Sequence, residues 1–230
     1  MSPAAAPRRP ACTTCLRPQS ACICRWAVPV LHTVQVLILQ HPLEVHNPKG
    51  SARLLHLSLP GNRLVTGETF AGLPVLLSGP FPADDPAARP RLPVLLYPET
   101  PQGMAQKLAE PDAPGCLAPG LPAMQCWPDP ARLRLVVLDG TWRKSRKMLH
   151  CNPLLCQLPR LALQDLPASR YRVRSAHRAD QLCTLEATCA ALAQLYGGSG
   201  QFAPLLAAFD GWVAQQLGCQ AGYRMVSVNN

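Results

Sequence analysis

Residues 133–150 read Leu-Arg-Leu-Val-Val-Leu-Asp-Gly-Thr-Trp-Arg-Lys-Ser-Arg-Lys-Met-Leu-His, and this stretch constrains the fold more than any other. A short apolar run of this kind forms a strand buried on both faces. It stops abruptly at Asp139. Gly140 suits a tight exit, Thr141 suits a helix N-cap, and a basic helix is predicted to follow. Trp142, Ser145 and Leu149 share one side at helical spacing, the side expected to pack, while Arg143, Arg146, Lys147 and His150 share another. Open α/β sheets place ligands where a buried strand ends beside a helix start, so Asp139 is a candidate site residue. The plainer alternative is a capping Asp139 and a core Trp142.

Apolar runs elsewhere alternate with helical stretches. Strands are expected at residues 34–39, 63–66, 73–77, 92–97 and 159–163, and helices at 48–59, 101–109, 182–196 and 202–217. The class is therefore α/β with a mostly parallel sheet. The first strand runs into Gln40-His41-Pro42-Leu43-Glu44, a second candidate edge. Residues 1–10, rich in Ala, Pro and Arg, are expected to be disordered.

Cys12, Cys15, Cys22 and Cys24 put four thiols within thirteen residues. Zn²⁺ takes tetrahedral thiolate sets, and a structural site fills all four positions. An iron–sulfur cluster is the rival, because it too takes four cysteines. Cys151 and Cys156 form a much weaker pair.

The chain carries a net charge of +9, and residues 131–180 hold eleven Lys or Arg against three Asp. Eighteen of the 22 basic residues are Arg, the residue suited to planar phosphate contacts. In the run Ser169-Arg170-Tyr171-Arg172-Val173-Arg174, extended backbone would set Arg170, Arg172 and Arg174 on one face, with Arg178 just beyond. Such a ladder can hold a nucleic-acid backbone; a solvated edge strand is the alternative. The N-terminus has basic residues without a following apolar segment, and no apolar run approaches the ~18 residues a membrane helix needs. Eleven cysteines without an export signal fit a reducing cytoplasm. Dinucleotide, Walker, nucleophile-elbow and zinc-protease motifs are all missing.

Asp139-Gly-Thr-Trp142 fits an Asp-x-Thr-Trp signature and resembles the DTW-domain family of bacterial tRNA-uridine aminocarboxypropyltransferases. The N-terminal Cys-x-x-Cys…Cys-x-Cys, His41-Pro-Leu-Glu44, the basic run and Thr184-Leu-Glu186 extend the resemblance over most of the chain. Family members tend to have Ser-Thr-x-Glu at the last of these; Cys183 stands here in place of the Ser. The resemblance implies a fold similar to the SPOUT RNA methyltransferases, in which the chain can be knotted. It divides the chain into a tail at 1–10, a Cys₄ zinc module at 11–26 and a catalytic domain at 27–230. It also implies transfer of the 3-amino-3-carboxypropyl group of S-adenosylmethionine to N3 of a tRNA uridine, with methylthioadenosine released.

In that reading Asp139 is the base. Thr141, Trp142, His41, Glu44, Pro98, Thr184 and Glu186 surround the co-substrate, with stacking of Trp142 on the adenine or on the target uracil, or plain packing, as its alternatives. Arg143, Arg146, Lys147, Arg170, Arg172, Arg174 and Arg178 meet tRNA, with no membrane and no obligate protein partner. Three alternatives are an RNA methyltransferase of related fold, a non-catalytic zinc-containing RNA-binding protein, and a cysteine-based redox or iron–sulfur protein.

Overall fold

The computed structural model describes residues 10–81, 90–98, 128–164, 169–171, 182–198 and 200–228, with side chains up to residue 218. Five strands are β1 (Gln35–Gln40), β2 (Arg63–Thr66), β3 (Leu92–Leu96), β4 (Leu133–Asp139) and β5 (Arg160–Leu161). They form one sheet in the order β2-β1-β4-β3-β5, with every neighbouring pair parallel. The helices are α1 (Ala52–Ser58), α2 (Leu73–Ser78), α3 (Trp142–Cys151), α4 (Pro153–Cys156), α5 (Thr184–Leu195) and α6 (Ala203–Val228).

Strand periodicity sorts the apolar residues onto two faces. Val36, Ile38, Leu133, Leu135 and Val137 pack with α1, α5 and α6 on one side. Leu37, Leu39, Leu95 and Val136 pack with α2, α3 and α4 on the other. Both faces are covered, so the central strands read as continuous apolar runs. Residues 73–77, expected as a strand, form α2 instead. A short Leu/Val run fits either state, and Gly72 followed by Pro74 in the first turn starts the helix. The strand expected at 159–163 shrinks to the two residues of β5. The final helix begins where expected and runs on to Val228.

Strand order determines where a ligand can sit. After β1 the chain moves outward to β2; after β4 it moves to the opposite edge, to β5. The two connections diverge between the carboxyl ends of β1 and β4, and such a switch point opens a crevice. The register pairs Gln40 with Asp139 there.

The Cys-rich segment packs into the same core as the sheet, through Cys15 and Ile23. Trp26 lies against Gly211 of α6, where an added Cβ would sit 2.2 Å from the indole, so the close approach requires glycine. Its Nε1 donates to Gln215 Oε1 at 2.6 Å. Arg17, 9% exposed, donates to the carbonyls of Pro48 and Gly50 at 2.7 and 2.8 Å. The segment is thereby tied to the loop that follows β1.

One charge lies inside the sheet. Arg134 of β4 is 1% exposed. It donates to Gln35 Oε1 and to the carbonyls of Leu76 and Gly79 at the end of α2, and it lies 4.2 Å from the centre of the Phe81 ring. The guanidinium thus satisfies carbonyls that a helix end leaves unpaired. Arg134→Leu strands these acceptors and is expected to cost about 2–4 kcal/mol. Thermal denaturation should show the midpoint falling by roughly 4–16 °C for a chain of this size.

Candidate active site

Asp139 closes β4 and is 5% exposed. Its Oδ2 accepts from Gln40 Nε2 at 2.9 Å, and its Oδ1 accepts from Thr184 Oγ1 at 2.7 Å. The next strand end joins in, as His41 N donates to the Asp139 carbonyl at 2.9 Å. Three pieces far apart in sequence therefore meet at one carboxylate. A carboxylate offers about four acceptor positions, so these two donors orient it. Gly140 has no positive φ. Glycine is suited there by space: an added Cβ would press on Lys144 Cβ at 3.1 Å and approach His41 Cβ at 3.7 Å. Thr141 caps α3, its hydroxyl accepting from Lys144 N at 3.4 Å.

Beside Asp139 a cleft opens between the loops after β1 and β2 and the first turns of α3. His41, Leu43, Glu68, Thr141, Arg143, Lys144 and Lys147 line it; Asp139, Gln40 and Thr184 are not part of that lining. His41 Nδ1 accepts from Leu43 N at 3.2 Å, so the proton sits on Nε2, which donates to Glu68 Oε1 at 3.0 Å. Lys147 Nζ lies 3.0 Å from Glu68 Oε2. The Lys147 ammonium and then the His41 N–H hold the Glu68 carboxyl below its ordinary range. Glu44 is buried; Lys144 Nζ donates to one oxygen at 2.7 Å and Asn47 Nδ2 to the other at 2.6 Å. Asn152, buried at the end of α3, fixes the β2–α2 loop by donating to the Glu68 carbonyl and accepting from Phe70 N.

Helix α3 corrects one expectation. Ser145, Met148 and Leu149 are buried as its packing face requires, but Trp142 is 51% exposed. The first helical residue projects past the end of the sheet, where no facing layer covers it. Its ring meets Tyr97 edge to face, centroids 5.6 Å apart. Arg143, Arg146, Lys147 and His150 are exposed, as the spacing predicts.

Glu186 faces inward. Its oxygens accept from Cys183 N, Ser169 Oγ and Arg170 N, closing the start of α5 and holding residues 169–171. Cys183 sits buried where the family pattern has Ser, its thiol pushed up by burial and by Glu186. Arg170 pairs with Asp210 at 2.8 Å. Tyr171 is buried, its hydroxyl donating to the Lys49 carbonyl at 2.6 Å. Arg172, Arg174 and Arg178 lie outside the described residues, as does the helix expected at 101–109. Pro98 is exposed and lies off the cleft lining; its carbonyl accepts from Arg160 at 3.1 Å.

The Sγ atoms of Cys12, Cys15, Cys22 and Cys24 all lie within 4.8 Å of one another, with Cys12 and Cys24 3.6 Å apart and Cys15 and Cys22 3.8 Å apart. The backbone N–H groups of Cys15 and Thr14 lower the Cys12 thiol to about 6. Burial and the neighbouring sulfurs raise Cys24 to about 12. These four residues can hold a metal ion. Cys151 and Cys156 join no metal-capable group among the described residues.

Glu68, Gln40 and Lys144 are site residues that sequence reasoning did not single out. The available signal was position, since each follows or ends a strand of one parallel sheet or opens α3. The Glu68 pairing has a measurable pH signature. Because its folded carboxyl is depressed below 4.5, it stabilises the protein at neutral pH and loses that effect as acid protonates it. Denaturant titrations should show Glu68→Gln less stable than the parent at pH 7, with the gap closing as pH falls below 4.5. Added salt should shrink the gap at pH 7.

The DTW-domain family profile matches residues 9–217. A Macaca fascicularis protein named tRNA-uridine aminocarboxypropyltransferase 2 is 26% identical over 192 residues, covering 82% of this chain and 56% of that protein. A Drosophila melanogaster protein of the same name is 26% identical over 198 residues, covering 82% of this chain and 67% of its own. The chain thus spans little more than half the length of the first of these relatives. No solved structure matches it. With a profile match running from the Cys cluster through the Asp139 signature into α6, the chain belongs to the DTW-domain family.

Proposed function

We propose that this chain transfers the 3-amino-3-carboxypropyl group of S-adenosylmethionine to N3 of a uridine in tRNA, releasing methylthioadenosine. The convergence of Gln40, Asp139 and Thr184 at a sheet switch point carries the reading. The names of the two relatives support it, and so does the excess of arginine around the signature. The parallel sheet, covered on both faces, is compatible with a SPOUT-like S-adenosylmethionine-binding domain over residues 27–230.

The chemistry asks little of the protein beyond position and one base. Uracil N3 carries a proton and attacks poorly until it is lost. Asp139 takes that proton; N3 bonds to the terminal carbon of the transferred group, the carbon–sulfur bond breaks, and its electron pair stays on sulfur. The leaving thioether is neutral, so no acid assists it. Gln40 and Thr184 aim the carboxylate. His41 and Thr141 line the cleft for the co-substrate, and Lys144, held by Glu44, supplies positive charge for its carboxylate. Glu44 and Glu186 act indirectly, through Lys144 and through the 169–171 segment.

The Cys module at 11–26 is assigned structural zinc. A tetrahedron with ~2.3 Å Zn–S bonds has edges of ~3.8 Å; the Cys12–Cys24 and Cys15–Cys22 separations of 3.6 and 3.8 Å are of that size, and all the others lie within 4.8 Å. A cluster of several irons would spread the thiolates farther apart. Arg143, Arg146 and Lys147, with Arg170, Arg172, Arg174 and Arg178, are assigned to tRNA, and the compartment is the cytoplasm.

Unmodified bulk tRNA incubated with S-adenosylmethionine should yield aminocarboxypropyl-uridine and methylthioadenosine by mass spectrometry. Methylated nucleoside with S-adenosylhomocysteine would replace the reading with a methyltransferase. Asp139→Asn keeps an acceptor for Thr184 and should slow transfer ~10²–10⁴-fold, the usual contribution of a positioned base. Purified protein should carry about one zinc per chain, lost with a lower melting temperature in Cys15→Ser. Bound iron with visible absorption would overturn the metal assignment.

A further inference from the structure

Trp142 is half exposed at the rim of the candidate site, with its indole against an aromatic ring. Its neighbour Tyr97 sets its orientation. The contact with Tyr97 is edge to face, with the rings at 76°, and such a contact occupies at most one face of the indole. Tyr97 is braced in turn: the Arg160 guanidinium lies 5.4 Å from its ring centre and is fastened to the Pro98 carbonyl. The Tyr97 hydroxyl lies 3.5 Å from Oγ of buried Ser145. The indole therefore stands on a shelf built from the ends of β3 and β5 and the first turn of α3. Exposed Arg143 and Arg146 follow it on the same helix.

The cleft is lined by His41, Thr141, Arg143 and Lys144, and neither Asp139 nor Trp142 is part of that lining; the indole stands outside it, between Thr141 and Arg143 in the chain. Sites for small molecules are concave and enclose most of the ligand. A half-exposed ring on a rim is suited instead to one base of a polymer whose backbone makes the remaining contacts. Single-stranded RNA is held in this way, by stacking on aromatic rings with basic residues along the phosphates.

We propose that Trp142, braced by Tyr97 and Arg160, is a stacking platform for an unpaired RNA base, with Arg143 and Arg146 taking the adjoining phosphates. The choice of ligand rests on the RNA-modifying function proposed above, but the test does not require the transfer reaction. Binding of a fluorescein-labelled oligouridylate to the full chain is read by anisotropy, and binding of methylthioadenosine by calorimetry. Trp142→Ala should weaken oligouridylate binding ~5–150-fold, the range expected for one stacked base. Trp142→Phe should retain most of the affinity, and an abasic oligomer should be indifferent to either change. Arg146→Ala should weaken both oligomers alike and flatten the salt dependence by about one phosphate contact. Methylthioadenosine affinity should be unchanged by Trp142→Ala.

The proposal is overturned if the parent chain does not bind oligouridylate, or if Trp142→Ala binds it normally. It is also overturned if Trp142→Ala loses methylthioadenosine instead, which would assign the shelf to the co-substrate adenine. Trp142-dependent RNA binding without any aminocarboxypropyl transfer would remove the transferase reading and leave the shelf standing.

Discussion

The pairing of β1 with β4 is the constraint on which the rest of this molecule depends. Six residue pairs run in parallel register from Gln35–Arg134 to Gln40–Asp139. At the first pair, Gln35 receives the buried guanidinium of Arg134, which also gathers the carboxyl end of α2. At the last, Gln40 meets the Asp139 carboxylate at the crevice. A slip of one residue would turn every side chain of a strand to the other face. It would put Arg134 among apolar neighbours without acceptors and separate Asp139 from Gln40 and Thr184. The cost of misplacing one buried arginine therefore helps enforce the geometry at the opposite end of the same strand.

The crevice is held from outside the sheet as well. The loop after β1 carries His41 and Glu44, and its later part is fastened by Arg17 from the Cys-rich segment, by the Tyr171 hydroxyl, and by Ser51 beside the start of α5. Chain ends more than a hundred residues apart thus hold one short loop. Arg17 lies between the two halves of the Cys cluster and also sits over the Trp212 ring at 5.1 Å. Arg17 joins the Cys-rich segment to the β1 loop through the backbone carbonyls of residues 48 and 50.

Much of this was legible in the sequence, for identifiable reasons. The strand-to-helix passage at Asp139 shows because a doubly buried strand must be continuously apolar and a capped helix needs Thr141. The Cys cluster shows because thiolates that share one ion lie close in sequence. Residues 73–77 misled, since a five-residue apolar run has no periodicity to separate strand from helix. For Trp142 the plainer alternative of a core residue fails, because helical spacing reports which residues share a side, and not how far the opposing layer extends. Glu68 was invisible for a different reason. Its partners His41 and Lys147 are 27 and 79 positions away, and only the strand order brings the loops after β1 and β2 together over α3.

The basic helix α3 looks uniform in sequence, yet its lysines and arginines have separate employment. Lys144 and Lys147 turn toward Glu44 and Glu68 and join the loops of the cleft to the helix. Arg143 and Arg146 stay exposed. The division follows the chemistry of the two cations. An ammonium is a compact charge on a flexible stem, well matched to a single carboxylate oxygen, whereas a guanidinium offers a planar fork suited to phosphate oxygens. Pairing the lysines with carboxylates reduces repulsion within the helix and leaves Arg143 and Arg146 as exposed charge beside the Trp142 shelf. The same ten-residue helix therefore joins the loops of the cleft through its paired lysines, while Arg143, also in the cleft lining, and Arg146 remain exposed.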